Sequence, residues 1–310
     1  MNENTEKASN GGILKGHAAL IAANVAWGLM APISKSLLNR GAISGLALSG
    51  IRIMGAALLF WLVGAMFQKY IPQEKIDRKD WIPLFFASLL IIAANQVLII
   101  VGMSYTSPVD ASVVCCTSPI FTLALAAILI HERITLLKIL GVALGFAGAL
   151  MFVFTGEVNT SMHFTNPALG NTLCIASQVC GALYLVIFGR IIAKYSAFTL
   201  MKWLFTISAI VMIPVSGFSI AQVGWNALPA GAYAETVYII FFGTFFGYLM
   251  IPVAQKVVKP IVISMYNYLQ PIVALVCSLI AGLAIINMQV AISTLLIFVG
   301  VWLVTIQPKN

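Results

Sequence analysis

Residues 16–306 divide into ten long apolar stretches, and the second five repeat landmarks of the first. Pro119 and Gly148 recur as Pro271 and Gly300, each 152 residues later, and Pro108 recurs as Pro260 at the same offset. A helix of about 20 mostly apolar residues crosses the hydrocarbon layer of a bilayer. The stretches read as spans over 16–38, 45–67, 81–103, 109–130, 134–154, 167–189, 197–218, 235–255, 260–282 and 287–306. Five crossings are an odd number, so a second copy of the unit is inverted. Inverted repeats around a midplane site are a recurrent plan of secondary transporters.

The chain is 61% apolar and 8% charged, against about 25% charged in ordinary soluble domains. Its apolar stretches are continuous rather than alternating, which excludes a membrane β-barrel. The expected fold is therefore an all-α polytopic membrane protein. Ten transmembrane helices form two inverted five-helix repeats, with both termini cytoplasmic. Residues 1–15 form a cytoplasmic tail, 16–155 the first repeat, 156–166 an extracytoplasmic linker, 167–306 the second repeat and 307–310 a second cytoplasmic tail. The first span carries Asn24 and Trp27 without a small-residue cleavage site, and reads as a retained span rather than a cleaved signal. The protein is expected in a cell membrane, multi-pass, with the lipid bilayer as one partner.

A net charge of +8 raises the question of nucleic acid, and the placement of the charges answers it. With the amino terminus inside, the basic residues around 69–79, 133–138, 190–194 and 256–259 all face the cytoplasm, and the opposite loops hold only Arg40. That asymmetry is the positive-inside pattern. The charges orient the chain, and no nucleic-acid partner is expected. All five cysteines lie within spans and read as small buried thiols. No metal signature and no cofactor motif is present. Gly141, Gly145 and Gly148 share one face, where small residues let helices approach closely in lipid. They are expected to pack spans five and ten together or to meet a second copy of the chain in a homodimer.

Polar groups inside spans are costly and usually face the protein interior or a water-filled cavity. Span one aligns Asn24, Trp27, Gly28 and Ala31 on one helical face. Span three carries Asn95 and Gln96, and span six Ser177, Gln178, Gly181 and Tyr184. Span eight aligns Thr244, Tyr248 and Gln255, and span nine offers Tyr266, Asn267 and Gln270. These faces are expected to enclose one substrate cavity, although each amide alone equally fits a bond to a neighbouring helix. Arg52 lies deep in span two. Two partners suit it: Asp110 at the outer start of span four, or a substrate carboxylate that fits the guanidinium fork. Glu132, at the inner end of span four, reads either as a gating or capping acid or as an interfacial charge pair.

The stretch Tyr105-Thr-Ser-Pro-Val-Asp-Ala-Ser, followed by Pro119, Glu132-Arg133, Gly141 and Gly148, resembles the fourth-to-fifth-span signature of the EamA-type transporters of the drug/metabolite transporter superfamily. Trp27-Gly28 and Arg52 are similar to that family's pattern as well. The resemblance covers residues 16–306 and implies a ten-helix inverted-repeat fold with a central cavity. It also implies small-metabolite substrates, amino acids among them, that are often exported. The chain departs from the pattern at Ala284, the repeat counterpart of Glu132, where many relatives carry a second acid.

The leading expectation is thus a carrier of small polar or amphipathic metabolites. A lipid or lipophilic-drug translocator and a channel-like facilitator are the alternatives. A membrane-embedded enzyme is disfavoured, because no nucleophile-base pairing, paired-aspartate motif or zinc spacing appears.

Overall fold

The computed structural model describes residues 3–71, 74–106, 114–155, 166–280 and 288–305, and within them the regular structure is helix alone. Asp110 and nearly all of the expected linker lie outside these residues. In the first half α1 spans Glu3–Asn39 and α2 Gly45–Met66. The third rod joins α3 (Trp81–Ser88), a π-helical turn (Leu89–Ala94) and α4 (Asn95–Tyr105) without a break in direction. Two helices complete the half, α5 (Ser118–Leu129) and α6 (Leu136–Thr155).

The second half follows the same plan. It runs from α7 (Pro167–Ile187), through the short α8 (Gly189–Lys194), to α9 (Ala197–Ala221). Another composite rod comes next: α10 (Ala230–Tyr238), a π-helical stretch (Ile239–Phe246) and α11 (Gly247–Gln255). The ninth span is broken differently, as α12 (Pro260–Met265), a 3₁₀ turn (Tyr266–Tyr268) and α13 (Leu269–Ile280). The last is α14 (Met288–Thr305).

The two π segments begin 150 residues apart, so the widened turn belongs to the repeated plan. The breaks in spans four and nine repeat too. Helix α5 starts at Ser118 with Pro119 in its first turn, and the 3₁₀ turn sits at the corresponding level. Proline suits a first turn because its missing N–H is not needed there.

Helices at corresponding positions of the halves pack in antiparallel pairs. Between α6 and α14, Gly141 lies against Gly300 and Val304, whereas Gly148 lies against Ser293 and Leu296. A Cβ on Gly300 would stand 2.6 Å from the carbonyl oxygen of Gly141, so the backbones meet where a larger residue has no room. The glycine face therefore serves span five against span ten within one chain. Helices α2 and α9 run antiparallel in the same way: Gly50 meets Ser216 at one end and Gly64 meets Phe198 at the other. Phe60 of α2 fills the centre of the bundle, with ring centroids 5.4 Å from Phe205 and 4.5 Å from Phe245.

Six helices among the described residues are long and apolar enough to cross a membrane, and shorter apolar helices accompany them. Their outward faces carry Leu58, Ile210, Val237 and Leu295, each more than half exposed. Such surface is costly in water and neutral in lipid. At one end of the bundle the loops are tied by charge. Lys194 bonds Asp77 and Asp80, and Tyr195 Oη donates to Asp80 at 2.6 Å. Lys202 lies over the rings of Trp61 and Trp203, the placement of an interfacial cation beside an aromatic belt. Arg40 pairs with Glu235 across the α1 and α10 ends at 2.7 Å. The chain is a multi-pass membrane protein.

Candidate functional site

Where the two halves meet, the helices leave a cavity of about 180 Å³. Its wall is drawn from both repeats at matching positions. Trp27, Met30 and Ser34 on α1 correspond to Gln178, Gly181 and Leu185 on α7, each pair 151 residues apart. Cys115 and Ser118 correspond to Asn267 and Gln270 at an offset of 152. Asn95 and Tyr248 come after the two π segments, 153 residues apart, and the Tyr248 hydroxyl donates to Asn95 Oδ1 at 3.3 Å. The two rods touch each other through these residues at the centre.

Local structure explains how these side chains come to face one another. A π turn adds a residue to the helical circuit, which rotates the remainder of the rod and loosens the backbone ladder, and it often marks a functional position. Beyond the first π turn, Asn95 Nδ2 donates to Ser177 O at 2.8 Å and Ser177 Oγ at 3.0 Å, tying α4 to α7. Within the second, Gly243 presents its carbonyl to Trp27 Nε1 at 2.9 Å. Thr244 donates to Ile239 O at 2.8 Å, which leaves its oxygen to accept from Arg52 Nε at 3.0 Å. Trp27 and Tyr248 then meet edge to face, centroids 5.3 Å apart.

A second polar patch forms where α1 meets the ninth span. Gln270 Nε2 donates to Asn24 Oδ1 at 3.0 Å and to Asn267 Oδ1 at 3.4 Å, and Asn24 Nδ2 bonds Leu20 O one turn back. Gln178 Nε2 points at Cys115 Sγ at 3.7 Å.

Of the residues singled out from the sequence, Trp27, Arg52, Asn95, Ser177, Gln178, Gly181, Tyr248, Asn267 and Gln270 lie on the cavity wall. Five amide and phenol candidates do not, among them Gln255, whose Nε2 donates to Leu185 O at 3.0 Å. Asn24 is buried one hydrogen bond behind Gln270. Gln96 and Tyr184 are fully buried, and among the described residues neither the Gln96 amide atoms nor the Tyr184 hydroxyl has a hydrogen-bond partner. Tyr266 pairs instead with His17, its hydroxyl 2.7 Å from Nδ1. Glu132 is an ion-pair partner rather than a wall residue, 2.9 Å from Lys138 Nζ and 3.8 Å from Lys259 Nζ at the start of α12.

Reading polarity alone missed Met30, Ser34, Ile99 and Met103. Ser34 carried a signal, since it stands one helical turn beyond Met30 on the face that bears Trp27. The apolar members carried none, because Ile and Met in a span look the same whether they face lipid or a cavity.

Known proteins add a lineage to this geometry. A solved crystal structure superposes over 96% of this chain and 96% of its own with a TM-score of 0.72 at 15% identity, a likeness of fold. An uncharacterized transporter, YyaM of Bacillus subtilis, is 26% identical and aligns over 80% of both chains. A probable terminal-alkyne amino-acid exporter of Streptantibioticus cattleyicolor is 25% identical over 71% of this chain and 70% of its own. The relatives carry the names of transporters rather than enzymes. The EamA-like transporter family matches residues 14–154 and again 168–306, one copy in each half. With both halves matched, the chain belongs to the EamA-like transporter family.

Proposed function

We propose that the protein is a secondary transporter that exports small metabolites such as amino acids by alternating access. The carrying observation is the shared cavity, whose wall takes counterpart residues from both halves and joins them at Asn95 and Tyr248. A site on the internal symmetry axis stays in place while the two halves rock around it, opening first one side and then the other. The antiparallel packing of α6 with α14 and of α2 with α9 supports an inverted repeat. On that reading the chain makes ten crossings, with repeats over 16–155 and 167–306 and both termini in the cytoplasm. The loop charges support the same orientation.

The size of the cavity favours a metabolite. Drug-sized ligands occupy pockets of about 300–1,000 Å³, well above the 180 Å³ found here. The amino-acid class draws on the wall's mixture of amides, phenol and apolar side chains, and on the Streptantibioticus exporter's name.

The test is a thermal-shift screen of the purified protein against metabolite classes, followed by flux of the stabilising compounds in proteoliposomes. Asn95→Ala, Gln178→Ala and Asn267→Ala are each expected to lower flux or raise KM severalfold. Unchanged flux and affinity in all three would remove the cavity from the mechanism. Stabilisation by phospholipid or lipophilic drugs alone would favour a lipid or drug translocator instead.

A further inference from the structure

We infer that Arg52 is the anchor for a carboxylate on the transported molecule, so that the cavity selects monocarboxylates with an apolar body. The inference rests on the transport reading and narrows it to a substrate class.

Arg52 is 1% exposed and lines the cavity. Its Nε is taken by Thr244, but Nη1 is buried with no hydrogen-bond partner among the described residues. Among the described residues no carboxylate lies within ion-pairing distance of it. A buried charge without a partner carries a desolvation penalty of several kcal/mol. One hydroxyl acceptor offsets a small part of that. A guanidinium is not relieved by losing its proton, because its affinity for it is too high. No described residue supplies that compensation, and an anion arriving from outside the chain would.

A second, independent donor is left over at the same cavity. Ser34 Oγ is 1% exposed, lines the wall and has no hydrogen-bond partner among the described residues. Both unmet groups offer hydrogens, and both lie on the wall contributed by the first half. A carboxylate supplies two acceptor oxygens in the planar geometry that a guanidinium fork matches. Thr244 contributes orientation: its hydroxyl is committed to Ile239 O, so it faces Arg52 as an acceptor and pins Nε, leaving the terminal nitrogens for the guest.

The rest of the wall sets the body of that guest. Ile91, Ile99, Met103, Ile251 and Ile263 offer apolar contact. No acidic side chain stands on the described wall, so Arg52 is its single formal charge. One cation matches a monoanionic group; a phosphate dianion would be left half compensated, and a cationic compound would meet repulsion. An α-ammonium group is accommodated without a carboxylate by the amide oxygens of Gln178 and Gln270 and by the ring faces of Trp27 and Tyr248.

The test uses the full chain in detergent and three sets of matched probes built on the alanine, leucine and phenylalanine skeletons. Each set holds the amino acid, the acid lacking the amino group and the amino-acid amide; for leucine these are L-leucine, 4-methylpentanoate and L-leucinamide. Affinity is read from thermal shift and from quenching of tryptophan fluorescence. On the best skeleton the two carboxylates are expected to bind at least ten times more tightly than the amide. Arg52→Gln is expected to bring them down to the amide's level, Arg52→Lys to restore part of the gap, and Ser34→Ala to weaken the carboxylates a fewfold. Should Arg52→Gln not fold, the wild-type comparison and Ser34→Ala decide on their own. Amides binding as tightly as carboxylates, undiminished carboxylate affinity in Arg52→Gln, or no carboxylate binding on any skeleton would overturn the inference. Saturable flux of a neutral or cationic metabolite without carboxylate preference would overturn it too, while leaving transport in place. Loss of saturable flux altogether would strike at the transport reading itself.

Discussion

The crossing of α2 on the second π segment and the crossing of α9 on the first occupy corresponding places in the two halves, and they are built from different chemistry. At the α9 crossing the polar groups are complete within the protein. Ser88 Oγ donates to Leu204 O at 2.7 Å, lies 2.6 Å from Ser208 Oγ, and Ser208 bonds back to Ser88 O at 3.1 Å. At the α2 crossing stands Arg52, 152 residues before Leu204, holding Thr244 with one nitrogen and leaving another without a partner. The first arrangement is a closed clasp between helices. The second is a clasp with a donor to spare at the cavity. Duplication supplied the scaffold, and the unequal residues on it are where a ligand is recognised.

The sharpest way to break this contrast is to remove one hydroxyl from each crossing. Thr244→Val leaves Arg52 Nε without its acceptor. A hydrogen bond to a charged group contributes about 1.5–3 kcal/mol, so the affinity for carboxylate probes is expected to fall about tenfold or more, read by fluorescence titration. Ser88→Ala at the closed crossing is expected to lower thermal stability by about 1 kcal/mol and to leave probe affinity unchanged. Equal affinity losses in the two variants would erase the distinction between scaffold and site.

A smaller effect is expected one residue beyond the cavity wall. Asn95 is engaged with Ser177 and Tyr248, whereas both amide atoms of its neighbour Gln96 are buried and unpartnered. An unsatisfied buried polar group costs about 1–3 kcal/mol, and an apolar replacement of similar shape removes that cost. Gln96→Met is therefore expected to leave flux intact and to hold or raise the melting temperature. A large drop in melting temperature would show that Gln96 has a partner in the working protein.

The smallest effect belongs to the charged end of the bundle. Bonds from Lys194, and then from Tyr195, hold the Asp80 carboxyl below the usual carboxylate range. A carboxyl whose affinity for protons is lowered by folding stabilises the fold above its ordinary value of about 3.9 and ceases to do so as pH falls below it. The melting temperature is expected to decline more steeply below about pH 4 in the wild type than in Asp80→Asn. Parallel profiles would mean that the loop tie contributes nothing measurable.

Much of this plan was legible in the chain itself. The 152-residue offset of Pro119, Gly148 and their counterparts is the mark of duplication, and hydrophobic length is a strong signal in a membrane protein because lipid leaves few alternatives. Eight polar cavity residues are identified by their cost, since Trp27, Arg52, Asn95, Ser177 and the other polar groups must find partners in the interior. The same rule cannot separate a group that faces a cavity from one sealed between helices, which is why Asn24, Gln96, Tyr184 and Tyr266 were grouped with them. For Gln96 the deciding feature is rotational. Each π turn changes the face presented by everything after it, and no residue in Leu89–Ala94 or Ile239–Phe246 announces that extra residue. The helical face gives Ser34 away as a wall residue, but its unmet hydroxyl is not legible: a single serine in a span usually bonds its own helix, and its lack of a partner among the described residues is visible only in three dimensions.

The central claim is a single site that serves both faces of the membrane in turn. It is tested most directly by counterflow in proteoliposomes with a radiolabelled compound from the carboxylate panel. Alternating access predicts saturable uptake that accelerates when the same unlabelled compound is loaded inside, and that is lost in Asn95→Ala. Uptake that rises linearly with concentration and ignores the internal compound would contradict it and describe a channel.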